Sequence, residues 1–295
     1  MKKIVALFLC LAFFTMIPCA SLAESTPLVY EVKDESGHTL YLLGTIHVGG
    51  EDMYPLSEAV WKAYEASDVL AVEVDVVEET GSLLSSLMTL ADLMYGFTDS
   101  AKNHLSPETY ALGVEMLGVP ELLLKRLRPA AWFSLAENTV YQAVGLDATL
   151  GADYYLLNCA HHDGKRIDEL ESMDEQMNML LNLPEEVLDA EIFLMLTNPE
   201  DAAVELLFLY FAWCAGDEET LTEYLAVEDE MDAAYDEFND VLLGSRNEGF
   251  EAQAVAYLQS GETVLIAIGA AHILGEDGLA ARLARAGYQV TEIGR

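Results

Sequence analysis

The sequence predicts an α/β fold: a central mixed β-sheet formed from N- and C-terminal segments, with a large helical insertion between them. Three observations carry this expectation. Apolar, β-rich runs fall in residues 24–80 and again in 261–295. Helical patterns fill residues 81–260, and the first cluster reads strand, helix, strand.

Leu28 to Lys33 and Thr39 to Val48 flank the polar, glycine-containing stretch Asp34-Glu35-Ser36-Gly37-His38, the pattern of a hairpin. Pro55 and Ser57 open a helix through about Ala66, with Val60, Trp61 and Tyr64 at helical spacing. Val69 to Val76 is the next strand, and its order after strand and helix predicts a parallel pair. Within the insertion, Ser106-Pro107 and Asn198-Pro199 each set a capping side chain before a proline at the first helical position. Pro184 opens another helix in the same way. Val204 to Trp213 reads as a core helix, since Asp201 and Glu205 interrupt its apolar character. Lys165 to Leu170 is a short strand inside the insertion. Thr263 to Ile268 resumes buried-strand character, Gly278 to Ala286 forms an amphipathic helix, and Tyr288 to Ile293 closes the sheet.

Residues 1–23 have the order of a secretory signal: Lys2 and Lys3, an apolar stretch from Ile4 to Ile17, Pro18, then Ser21-Leu22-Ala23. Cleavage after Ala23 and export are expected. The alternative is an uncleaved anchor, although the apolar core is shorter than the ~20 residues a membrane span requires. Cys159 and Cys214 remain after cleavage; export permits their pairing, but no Cys-x-x-Cys supports thiolate zinc or redox chemistry. Formal charge is −37, from 14 basic and 51 acidic residues. A field of that sign repels nucleic acid and anionic lipid, and attracts cations or basic peptides. No Gly-x-Ser-x-Gly elbow and no phosphate-binding glycine loop is present, which argues against a serine hydrolase triad and nucleotide use.

The chemistry concentrates in two Gly-x-x-His segments. Gly44-Thr45-Ile46-His47 ends one apolar run, and Gly269-Ala270-Ala271-His272 ends another. A glycine before each histidine allows close approach of backbone or an ion, and the ends of strands are where α/β sheets place ligands. Glu73 shares a strand face with Asp75, and a buried carboxylate without a partner is costly. A cation held by His47, His272 and Glu73 relieves that cost; zinc, iron, manganese and cobalt all suit the set. Taken singly, each histidine is more often a hydrogen-bonded core residue than a ligand. His161-His162 reads as a solvated helix end, and His38 and His104 as loop residues.

Leu42 to His47, Ala71 to Asp75, Gly145-Leu146-Asp147, Leu170-Glu171 with Gln176, Arg246-Asn247, and Gly269 to His272 with Gly275 together resemble the TraB/GumN family, in order across essentially the whole mature chain. The resemblance implies kinship with the Tiki metalloproteases and pheromone-shutdown proteins. It also implies that His47, Glu73 and His272 are metal ligands of a hydrolytic site. Ala271-His272-Ile273 stands where many members carry Gly-His-Leu, a mild departure that keeps the spacing.

The reading that follows is an exported metal-dependent hydrolase, a metalloprotease acting on peptides through a metal-activated water. Its general base is Glu73, Asp75 or Glu171. Arg246 and Asn247 begin a helix, where Arg246 either binds a substrate carboxylate or oxyanion, or forms a salt bridge. Asp147 and Gln176 either serve the site or brace the insertion. The alternative function is non-catalytic capture of a pheromone-like peptide. Expected partners are a peptide or protein substrate, no nucleic acid, and a membrane only if the N-terminal segment is retained.

Overall fold

A six-stranded mixed sheet, ordered β4-β3-β5-β2-β1-β6, organises the chain. The computed structural model describes residues 24–81, 90–225 and 233–294. The signal-like segment and its cleavage point lie outside the described residues, and no described helix is long and apolar enough to cross a membrane. β1 (Val29–Lys33) and β2 (Thr39–Thr45) form the expected antiparallel hairpin. Its turn is held by Asp34, whose carboxylate accepts from the Ser36 and His38 amides. β6 (Gln289–Ile293) closes antiparallel on β1. β3 (Val69–Val72), β4 (Arg166–Glu169) and β5 (Val264–Gly269) run parallel with β2.

Three expectations need correction. β2 and β3 are parallel but not neighbours, because β5 lies between them. Every residue of β5 is buried, so this strand suits the centre of the sheet. Second, β3 stops at Val72 rather than Val76; Glu73 and Asp75 lie beyond it, and a short helix starts at Val76. Asp75 ends the strand by accepting from the Val77 and Glu78 amides. Third, Asn198 does not cap the helix Pro199–Ala215 with its side chain, whereas Ser106 caps Pro107–Met116 by accepting from Thr109.

Strand alternation divides the core between the two faces. Leu40, Leu42, Val69, Ala71 and Ile266 pack with Phe250, Leu258 and Leu283, from the helices Ser245–Ser260 and Leu279–Arg285. Tyr41, Leu43, Leu70 and Ala267 face the other way, onto Val60, Leu156, Leu157, Tyr210 and Trp213. A satellite core around Trp132, Tyr110, Leu124 and Ile192 holds the helical insertion together. Cys159 and Cys214 are both free thiols.

Gly44 couples the sheet to the site. A Cβ there would stand 2.9 Å from Cα and 3.1 Å from Cβ of Ala270, so β2 and the start of the helix Ala270–Ile273 meet only because the side chain is absent. Its carbonyl also accepts from the buried Trp213 indole at 2.8 Å. Gly44→Ala should therefore cost about 1–3 kcal/mol by overpacking. Urea unfolding of wild type and variant checks this; equal midpoints would show that the contact relaxes freely.

Candidate active site

The parallel strands end together, and that shared edge gathers the chemistry. Thr45 pairs with Gly269 and Val72 with Ala267, so the residues following β2, β3 and β5 emerge side by side. His47 leaves the end of β2, Glu73 the end of β3, and His272 sits one turn beyond β5 in the helix Ala270–Ile273. All three converge on Gly269. A Cβ at this glycine would lie 3.3 Å from Glu73 Oε1, 3.6 Å from His47 Nε2 and 3.7 Å from His272 Cδ2. Gly269 also donates its amide to Glu73 Oε1 at 2.8 Å. The two Gly-x-x-His segments thus meet as expected, although neither histidine lies on a strand.

Each imidazole is oriented by a partner. Asp153 Oδ2 lies 2.6 Å from His47 Nδ1, leaving Nε2 toward Glu73 and Gly269. Asn247 Oδ1 lies 2.7 Å from His272 Nδ1, and the Asn247 amide is fixed by donating to the Asp277 carbonyl at 3.0 Å. His272 Nε2 is 2.9 Å from Arg246 Nη1, a group that only donates. His272 must therefore accept at Nε2 and donate from Nδ1 to Asn247.

Arg246 fills the centre of this arrangement. Its guanidinium reaches Glu171 through Nε and Nη2 at 2.7 and 2.8 Å, and Glu73 through Nη2 at 2.6 Å. Nη1 donates to the Leu242 carbonyl and to His272. All of its N–H groups are engaged, so the salt-bridge reading of Arg246 describes this arrangement, and Glu171 stands as its partner. Gln176 donates to Glu73 Oε2 at 3.2 Å. Asp75 faces elsewhere: His161 Nε2 lies 2.7 Å from it, and the pair lines a separate cleft with Glu169 and Lys165. His161 is accordingly in contact with the Asp75 carboxylate rather than merely solvated. Asp147 caps Ala148–Leu150 and bridges to Gly49, as a brace would.

The cleft at this edge measures about 440 Å³ and is lined by Thr45, His47, Glu73, Asp153, Tyr154 and Gln176 among others. Two buried oxygens in its wall, Thr45 Oγ1 and Asp153 Oδ1, have no hydrogen-bond partner among the described residues. Asp153 is the site residue that sequence reading missed. It is one acid among 51 and lies 106 residues from His47, and no motif distinguishes it.

Electrostatics separates the two histidines. The Asp153 carboxylate raises His47 to about 9 against the opposing effect of burial, with Glu73 assisting. The His47 side chain is nonetheless 65% exposed, so solvent screens part of this interaction. Burial lowers His272 to about 4; Glu73 opposes this and Arg246 reinforces it. Burial would raise Glu73, but the His47 and His272 imidazoles, Arg246 and the Gly269 amide together hold it at about 2. Nearby Glu137 is pushed by burial to about 7. At neutral pH the site therefore holds a charged His47, a neutral His272 and an ionised Glu73.

The linkage signs follow. The His47–Asp153 contribution to stability is fully present below pH 6.5 and fades as pH rises through about 9. That of Glu73 is present above 4.5 and is lost as pH falls toward 2. Imidazole NMR titration should give His47 a value well above 6.5, with Asp153→Asn returning it toward 6.5. A wild-type His47 titrating at or below 6.5 would show that the pair with Asp153 does not form.

As a metal site the arrangement fits in its donors and is closed in its present bonding. Two oriented imidazoles and a carboxylate surround a glycine whose missing side chain leaves a cradle. Yet Arg246 occupies the His272 lone pair and one Glu73 oxygen, and no described group of three His, Cys, Asp or Glu side chains stands ready to hold an ion. A cation would have to displace Arg246.

Uncharacterized protein YbaP of Escherichia coli (strain K12) is 28% identical over 243 residues, covering 81% of this chain and 85% of YbaP. The Shigella flexneri protein of the same name gives the same figures. No solved structure matches significantly. A family model described as the TraB/PrgY/gumN family matches residues 28–292, which run from β1 into β6. The chain belongs to the TraB/PrgY/gumN family.

Proposed function

We propose that this protein is an exported hydrolase of peptide bonds that works at the His47–Glu73–His272 cluster with a divalent cation. The supporting observation is the convergence of three potential ligands, from strand ends remote in sequence, on the bare backbone of Gly269. His47 Nε2, His272 Nε2 and Glu73 would hold the ion once Arg246 withdraws toward Glu171. Bound there, it would supply Lewis acidity to a carbonyl and acidify a water. Zinc, manganese, cobalt and iron remain the candidate ions. Export rests on the signal-like order of residues 1–23 alone.

The chain's own groups have definite tasks in this reading. Asp153 fixes the ring of His47 and directs Nε2 into the cleft, while Asn247 fixes the tautomer of His272. Glu171 holds Arg246 by two parallel bonds and would retain it when Glu73 is released. Glu73 faces the cleft and would accept a proton from attacking water; in that role it leaves fewer ligands for the ion.

The bonding of Arg246 favours a second reading in which no ion takes part. His47, charged and paired with Asp153, would donate a proton to the leaving group from Nε2, and Glu73 would receive one from water. Arg246 would then keep the position it has here.

One set of measurements separates the readings. Elemental analysis of purified protein should find a divalent ion, lost in His47→Ala and His272→Ala. Incubation with a mixed peptide library should yield products that chelator removes, with each alanine variant reducing turnover by about a hundredfold or more. Arg246→Ala leaves Glu73 and Glu171 uncompensated and should lower stability by about 3–5 kcal/mol, part of it restored by added divalent ion. Cleavage that survives chelation points to the ion-free pair; binding without any cleavage ends both hydrolytic readings.

A further inference from the structure

A second cleft of about 530 Å³ adjoins the first at Gln176. Gln176 lines both cavities. Glu73 faces the first, whereas Glu171 and Arg246, bonded to one another and through Arg246 to Glu73, face the second. The second cleft runs between the helix Met173–Leu181 and the start of Ser245–Ser260. Val241, in the π-helical turn Asp240–Gly244, forms part of its lining. Such turns interrupt the regular ladder and often stand at functional sites.

Gly249 borders this cleft. It lies in the interior of the helix Ser245–Ser260, where glycine costs about 0.5–1 kcal/mol relative to alanine. The fold gives no reason for that cost: a Cβ at Gly249 would meet nothing within 4 Å. Gly113 is the contrast, since its Cβ would collide with Trp132 at 2.2 Å. Gly249 instead lines the second cleft and leaves helix backbone bare to whatever enters it.

We infer that the second cleft is a subsite for a basic peptide segment continuing from the reaction site, with Gly249 as the surface over which the peptide lies. This rests on the peptide hydrolase reading and names the substrate class. Charge selects the class. Arg246, the cleft's cation, is neutralised by Glu73 and Glu171, which leaves Glu175 as an acidic group in the lining. The whole chain adds a formal −37, a field that draws cationic segments inward.

The test is fluorescence anisotropy with three labelled probes: a Lys-Gly repeat decapeptide, a Glu-Gly repeat decapeptide, and the tripeptide Lys-Gly-Lys. Wild type should bind the basic decapeptide about tenfold or more tighter than either other probe. Gly249→Leu, whose Cβ meets nothing within 4 Å and whose remaining atoms would fill the cleft, should erase that advantage and leave tripeptide binding unchanged. Its melting temperature should equal or exceed that of wild type, which removes misfolding as an explanation. Unchanged decapeptide affinity in Gly249→Leu, or equal binding of the acidic decapeptide, would overturn the subsite. Because the assay reads binding, the subsite survives if no peptide is ever cleaved. Conversely, cleavage with no dependence on peptide length would refute the subsite while leaving hydrolysis intact.

Discussion

A buried guanidinium between two carboxylates holds together the edge of the sheet where the parallel strands end. Arg246 comes from the last long helix of the insertion, Glu73 from the end of β3, and Glu171 from the segment following β4. The three side chains are only 12–13% exposed, so each charge depends on the others. Through Nη1 the same guanidinium reaches His272 after β5. The strand ends and the insertion therefore share one electrostatic centre. Loss of any member would leave an uncompensated charge in a poorly solvated place.

Close backbone approach makes that centre possible. Gly44 lets β2 touch Ala270, and Gly269 leaves space for two imidazoles and a carboxylate around one backbone atom. These two glycines are the first residues of the two Gly-x-x-His segments, so the repeated motif has a packing cause as well as a chemical one. The indole of Trp213 fastens the Gly44 carbonyl from the opposite layer. Fold and site thus depend on the same few atoms.

The polar groups nearby have separate roles. Asp153 and Asn247 hold the two rings in place, while the Asp153 carboxylate raises the pKa of His47 and burial lowers that of His272. Asp75 and His161 form another pair beyond the strand edge, where Asp75 also accepts backbone amides. Spatial closeness along β3 and the residues after it therefore does not put Asp75 in the same cleft as Glu73. The turn after Val72 sends the two carboxylates to different partners.

Much of the architecture was legible in the chain because it is local. Hydrophobic alternation located all six strands, and Ser106-Pro107 announced its helix through a cap that spans three residues. The Gly-x-x-His pair and Glu73 marked the site, since glycine near a strand end and a carboxylate in an apolar run are anomalies visible without coordinates. Tertiary structure decided the rest. That β5 inserts between β2 and β3, that Asp153 rather than a motif residue orients His47, and that Arg246 takes the place between Glu73 and Glu171 all depend on contacts across 75 residues or more. Local sequence records which groups need partners. Only the packing of sheet against insertion determines which partner arrives, because burial and charge pairing are satisfied between elements rather than along the chain.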